Sequence, residues 1–165
     1  MERKINLQNK QLTIEFLTKI KNKQYSQIDI KLMNSHIKNL NYLVGKNIFK
    51  KDAVYVNSST LWEIMQPQGK SGKHHYHALT EEDIFNALSN IANPYCVFKS
   101  YSDRYAIVSI SFSHFNEKTI TIIEINADLI GVKNAKVYKI VTIYPKSKID
   151  TILRNLNPKD ILFIK

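Results

Sequence analysis

The chain has 165 residues, 44% of them hydrophobic, which suffices for one filled core and not for several. Its net charge of +10 favours polyanionic partners. A single cysteine, Cys96, excludes an internal disulfide and a thiolate zinc site, and no apolar run nears the roughly 20 residues that cross a bilayer, so a soluble chain is expected. Residues 1–51 carry eleven Lys and Arg against Glu2, Glu15 and Asp29, a balance of +8. The basic footprint is an N-terminal property.

In chain order, Leu12, Phe16 and Ile20 recur at helical spacing and predict a short amphipathic helix over residues 12–23. Ile30, Met33, Ile37, Leu40 and Val44 also recur at three and four, with Gly45 as a stop, predicting a second helix over 26–44. Lys19, Lys21, Lys23, Lys31 and Lys38 line the outer faces, either as solvated surface or as nucleic-acid contacts. Residues 52–56 read as a short strand. Thr60 and Glu63 have the spacing of a capping box, opening a helix that Pro67 ends and that carries Trp62 toward the core.

The next stretch runs Gly69-Lys70-Ser71-Gly72-Lys73-His74-His75-Tyr76-His77, with three of the five histidines and no acid. Imidazoles that titrate near neutral pH, beside permanent cations, suit a site where protons move around a phosphate. The same residues also read as a solvated basic loop. Thr80-Glu81-Glu82-Asp83 is an N-cap signature for a helix with Ile84, Phe85, Leu88 and Ile91 inward, ended by Asn93-Pro94. Its free N–H groups and positive dipole end favour an anion close to the histidines.

Beyond Pro94 the pattern turns extended. Residues 95–99, 104–112, 119–125 and 137–144 are rich in Val, Ile, Tyr and Thr, with links short enough for an antiparallel meander. Pro145 stops the fourth strand, residues 147–155 form a closing helix, and 161–164 a last strand. The expected architecture is α+β, N-terminal helices followed by a four- to five-stranded antiparallel sheet. Residues 1–50 form a basic helical extension, and 51–165 the main domain.

From about residue 54 onward, several strings occur in a telling order: Lys73-His74 with His77, Asn93-Pro94, Val97-Phe98-Lys99-Ser100, and Thr142-Ile143-Tyr144-Pro145-Lys146. In this the chain resembles the nuclease domains at the C-termini of phage MuF-type head proteins and polyvalent proteins, within the barnase, EndoU, colicin-tRNase and RelE-like (BECR) superfamily. The resemblance covers roughly 110 residues and departs at two points. Thr142 stands where the pattern has serine, and the extra His75 leaves open which of His74, His75 and His77 is the base.

The resemblance implies a metal-independent endoribonuclease toxin, acting on RNA (tRNA among its targets) and needing no cofactor. RNA supplies its own nucleophile, the 2′-hydroxyl, so the protein needs proton carriers and cations. On this basis His74 and His77 are the acid–base candidates, with Lys73 and Arg104 on the phosphate. Thr142 bonds a phosphate oxygen, Tyr144 stacks on or positions a base, and Lys146 is a further cation. A cognate inhibitor or immunity protein, acidic in character, follows as a partner. The implied site of action is the cytoplasm of a cell, reached by toxin or phage delivery. The alternative is a module of the same fold that binds RNA or protein without catalysis. Metal ligation by His74 and His77 lacks a third ligand nearby. Ser109, Ser111 and Ser113 lack an activating base, His114 reads as an exposed turn residue, and His36 as surface or packing.

Overall fold

The structure is a computed structural model that describes residues 3–22, 27–68 and 76–165. Its strands are β1 (Arg3–Asn6), β2 (Asp29–Met33), β3 (Val54–Asn57), β4 (Pro94–Tyr101), β5 (Arg104–Phe112), β6 (Lys118–Leu129), β7 (Val132–Lys146) and β8 (Ile161–Ile164). The helices are α1 (Lys10–Asn22), α2 (Leu40–Val44), α3 (Ser58–Met65), α4 (Glu81–Ser89) and α5 (Ile149–Asn155). All eight strands join one sheet in the order β1-β2-β3-β7-β6-β5-β4-β8. The β1–β2 and β3–β7 pairs are parallel and the rest antiparallel, so the sheet is mixed.

This corrects the expected four- to five-stranded antiparallel sheet behind N-terminal helices. The error lies in residues 26–44, where Ile30, Met33, Ile37, Leu40 and Val44 happen to fall at helical intervals. In the fold Ile30 and Leu32 are buried while Lys31 between them is partly exposed, the period-two signature of a strand. Asn34 and His36 then adopt positive φ (67° and 54°), which ends the strand and allows only a 3-10 turn and the short α2 to follow. Thus β1-α1-β2 is a strand–helix–strand unit, its two strands parallel because a helix crosses between them. Two smaller differences concern a cap and a strand end. The cap of α3 is Asn57, whose side chain accepts from Ser59 N, in place of Thr60. Pro145 does not stop β7, which runs on to Lys146.

The register assigns each face of the sheet. Val97, Ile107, Thr121 and Ile143 lie in one row, facing α1, α3 and α4. Cys96, Val108, Ile120 and Tyr144 form the next row, on the opposite face, where α5 packs through Ile149 and Leu153. The N-terminal elements are stitched into the larger core. The Tyr138 hydroxyl accepts from Lys50 N at 2.6 Å, and Phe49 packs edge-on against Tyr105 and Tyr138. Burial pushes the Cys96 thiol up to about 12, so it behaves as a small apolar group. No described helix is long and apolar enough to cross a membrane.

Candidate functional site

The site begins with a mismatch in strand length. β3 pairs with β7 only through Tyr138, Lys139 and Ile140, so among the described residues the last turns of β7 lack a strand on that side. Pro145, which has no N–H to offer, suits such an edge. Of the chain between α3 and α4, the described residues 76–80 approach this stretch through the rings of His77 and Tyr144. Ala78 N donates to Gln66 O at 2.8 Å and Leu79 N to Ile64 O at 3.0 Å, clamping the segment against the end of α3. Ala78 takes φ of 53°, a left-handed conformation that an alanine holds only where its surroundings fix it. Tyr76 packs edge-on against Trp62 at 6.0 Å.

His77 is therefore held between two anchored neighbours, and its ring lies 5.8 Å from that of Tyr144, centroid to centroid, at 40°. Tyr144 shares its sheet face with Thr142. A bulge in β7 opposite Ile122 and Ile123 sets this arrangement, placing Thr142 across from Ile122 and Tyr144 across from Ile120. The Thr142 hydroxyl is buried and has no hydrogen-bond partner among the described residues. Such an orphan costs about 1–3 kcal/mol in folding, so it is a polar group kept against the interest of stability. Burial raises the Tyr144 phenol, which therefore stays protonated at neutral pH.

The other candidates are distributed around this pair. Lys146 lies one row beyond Tyr144 on the same face, opposite Lys118. Arg104 shares the face by alternation, but its row belongs to the far end of β5, two strands and roughly 12 Å from Thr142 by strand spacing and rise. Its guanidinium sits 3.8 Å from the Glu124 carboxylate, so it is already partnered. Lys73, His74 and His75 lie outside the described residues.

One constellation is absent from the sequence reading. Asp83, 5% exposed, reciprocates the Thr80 cap, accepting from Thr80 N at 3.0 Å while Thr80 Oγ1 accepts from Asp83 N at 3.1 Å. The same carboxylate accepts from His114 N at 2.9 Å and contacts the His114 ring at Nδ1. Burial by itself would raise the Asp83 carboxyl. The hydrogen bonds from the Thr80 main chain, from the His114 side chain and main chain and from the Thr80 hydroxyl outweigh it, and the group titrates below its ordinary value. His114 is thus an oriented imidazole, joined by Asp83 to the segment that bears His77. The available signal was an acid on the inward face of an amphipathic helix, which needs a partner.

This arrangement also changes what the start of α4 offers. Glu81 pairs with Lys21 at 3.3 Å and Glu82 with Lys10 at 2.8 Å, and the cap uses the N–H groups of Thr80 and Asp83. A first turn with three acids, one of them tied into the cap, is a poor seat for phosphate. Among the described residues, no group of three or more His, Cys, Asp or Glu side chains is placed to hold a metal ion.

The family model described as "Phage MuF-C-terminal domain" matches residues 68–165, a span that takes in the His77 segment, the meander and α5. No curated protein and no solved structure matches significantly.

Proposed function

This chain belongs to the phage MuF C-terminal domain family, and from that premise we propose that it is a metal-independent endoribonuclease of the BECR superfamily. The observation that carries the reading is the meeting of His77 with Tyr144 at 5.8 Å, beside the orphaned hydroxyl of Thr142. Segments more than sixty residues apart bring an imidazole, a phenol and a hydroxyl to one face of a sheet, a set suited to moving protons about a phosphate.

In the proposed reaction an imidazole takes the proton of a ribose 2′-hydroxyl. The 2′-oxygen bonds to phosphorus, the P–O5′ bond breaks, and an acid returns a proton to the leaving 5′-oxygen. The products are a 2′,3′-cyclic phosphate and a 5′-hydroxyl. His77 takes one of the two proton roles, with His74 as the candidate for the other. Once the groups that cover it part, Thr142 donates its hydroxyl hydrogen to a phosphate oxygen, satisfying in the complex what the described residues leave open. Tyr144, a neutral phenol, positions the ribose or base, and Lys73 and Lys146 offset the charge of the phosphorane. Arg104 enters only if the RNA extends along the sheet toward Glu124. Single-stranded RNA, tRNA included, is the proposed substrate. An acidic inhibitor protein is the proposed partner, and the cytoplasm of a target cell the proposed place of action, with phage-linked or toxin delivery.

Incubation with total RNA in EDTA tests the proposal. Cleavage that persists and leaves cyclic phosphate ends is the expected result. Salt-sensitive binding without cleavage would instead indicate a binding module, and activity abolished by EDTA would indicate a metal-dependent hydrolase.

A further inference from the structure

One side-chain row beyond Tyr144, roughly 7 Å along the strands, the same sheet face opens into a cleft of about 270 Å³. Its walls are Tyr95 and Phe112 from the sheet, Lys118 and Lys146 opposite each other on β6 and β7, and Lys148 and Asp150 from the entry to α5. The Lys118 ammonium lies 4.7 Å from the Tyr95 ring centroid and 4.3 Å from that of Phe112, and donates to Ile110 O at 3.2 Å. That hydrogen bond and the two rings fix a cation in place. The Tyr95 hydroxyl donates to Asp150 at 3.2 Å, which fixes the second ring. Phe112 nevertheless remains 56% exposed, an aromatic surface left to solvent beside three lysines.

Resting on the nuclease reading, we propose that this cleft is a subsite for a neighbouring nucleotide of single-stranded RNA, its base stacked on Phe112 and its phosphate held by Lys118, Lys146 and Lys148. An exposed aromatic next to fixed cations is the combination by which proteins hold unpaired bases without reading a duplex. Glu117 and Asp150 also border the cleft, and a carboxylate there accepts from an exocyclic amine of the base. The location fits the direction of the site. A strand whose scissile phosphate lies at Thr142 and Tyr144 reaches Lys146 within about one nucleotide. Among the described aromatics, Tyr42 at 88% and Tyr101 at 71% are more exposed, but neither lines the cleft.

The test is fluorescence anisotropy with non-cleavable 2′-O-methyl RNA of two and of six nucleotides, run in parallel with cleavage of unmodified RNA. Wild type is expected to bind the hexamer more tightly than the dimer. Phe112→Ala should weaken hexamer binding by roughly 5- to 150-fold, from a stacking contribution of about 1–3 kcal/mol. Lys118→Gln should reduce the salt dependence of binding by about one counterion. Tyr42→Ala serves as the exposed-aromatic control and should bind as wild type does. Phe112→Ala alters a surface side chain, so its test stands even if Lys118→Gln fails to fold. Hexamer affinity unchanged in Phe112→Ala overturns the subsite, and if wild type still cleaves RNA the nuclease reading survives. Loss of hexamer affinity in Phe112→Ala, with no cleavage by wild type, upholds the subsite and sinks the nuclease reading. A wild type that neither binds nor cleaves overturns both.

Discussion

Thr142 is the residue whose structure and use pull in opposite directions. Its hydroxyl is buried without a partner among the described residues, so replacement by the isosteric valine should leave folding stability unchanged or raise it by about 1 kcal/mol, as measured by urea unfolding. In the same protein, RNA cleavage should fall at least tenfold, whereas Thr142→Ser should retain it. A Thr142→Val enzyme that cleaves as wild type would remove this hydroxyl from the mechanism. Asp83 makes the opposite case, a polar group that supports the fold. Its folded carboxyl titrates below the unfolded range, so its contribution is fully present above about pH 3.9 and disappears as pH falls through the folded value. Asp83→Asn, which loses charge and meets N–H donors with its own amide, should cost roughly 1–3 kcal/mol at neutral pH and flatten the acid limb of stability against pH. Equal acid limbs in the two proteins would show that the Thr80 and His114 bonds contribute little.

At the scale of elements, the question is how far residues 1–50 stand apart from the rest. β2 pairs with β3 through Asp29–Asn57, Ile30–Val56, Lys31–Tyr55 and Leu32–Val54, and Leu17 and Ile20 of α1 are buried in the same core as α3 and α4. A chain that starts at residue 51 would expose Val54 and Val56 on a bare sheet edge and uncover α4. It should therefore lose cooperative unfolding by circular dichroism, and Leu17→Ala in the full chain should cost about 2–5 kcal/mol. A truncated chain that melts cooperatively near the wild-type temperature would contradict this. The strands after Pro94 were legible because Val, Ile, Tyr and Thr dominate them and short turns punctuate them. β2 was not, because five apolar residues can satisfy a helical interval and a strand alternation at once, and only the partner strand decides between them. The resemblance singles out His77 and Tyr144 separately, but no local signal in either segment says that their rings meet. The His114–Asp83 pair depends on a contact across 31 positions, for which no local signal names the partner.

Taken whole, the molecule carries its charge differently from what the N-terminal excess suggests. Lys10, Lys21 and Lys38 are paired with Glu82, Glu81 and Asp52, so part of the +8 balance of residues 1–51 binds α1 and its neighbours to the rest of the fold. Of the lysines that bear on RNA in this account, Lys73 lies outside the described residues, while Lys118, Lys146 and Lys148 come from the C-terminal half and line the cleft beyond Tyr144. The central claim is that the segment at residue 77 and the strand at residues 142–144 act as one site, and a double-mutant cycle on cleavage tests it most directly. Single-turnover cleavage of a defined single-stranded RNA in EDTA would be measured for wild type, His77→Ala, Thr142→Val and the double variant. The account predicts that each single variant loses at least tenfold and that the double variant loses little more than the worse single. Losses that multiply independently, or wild-type cleavage by His77→Ala, would contradict it.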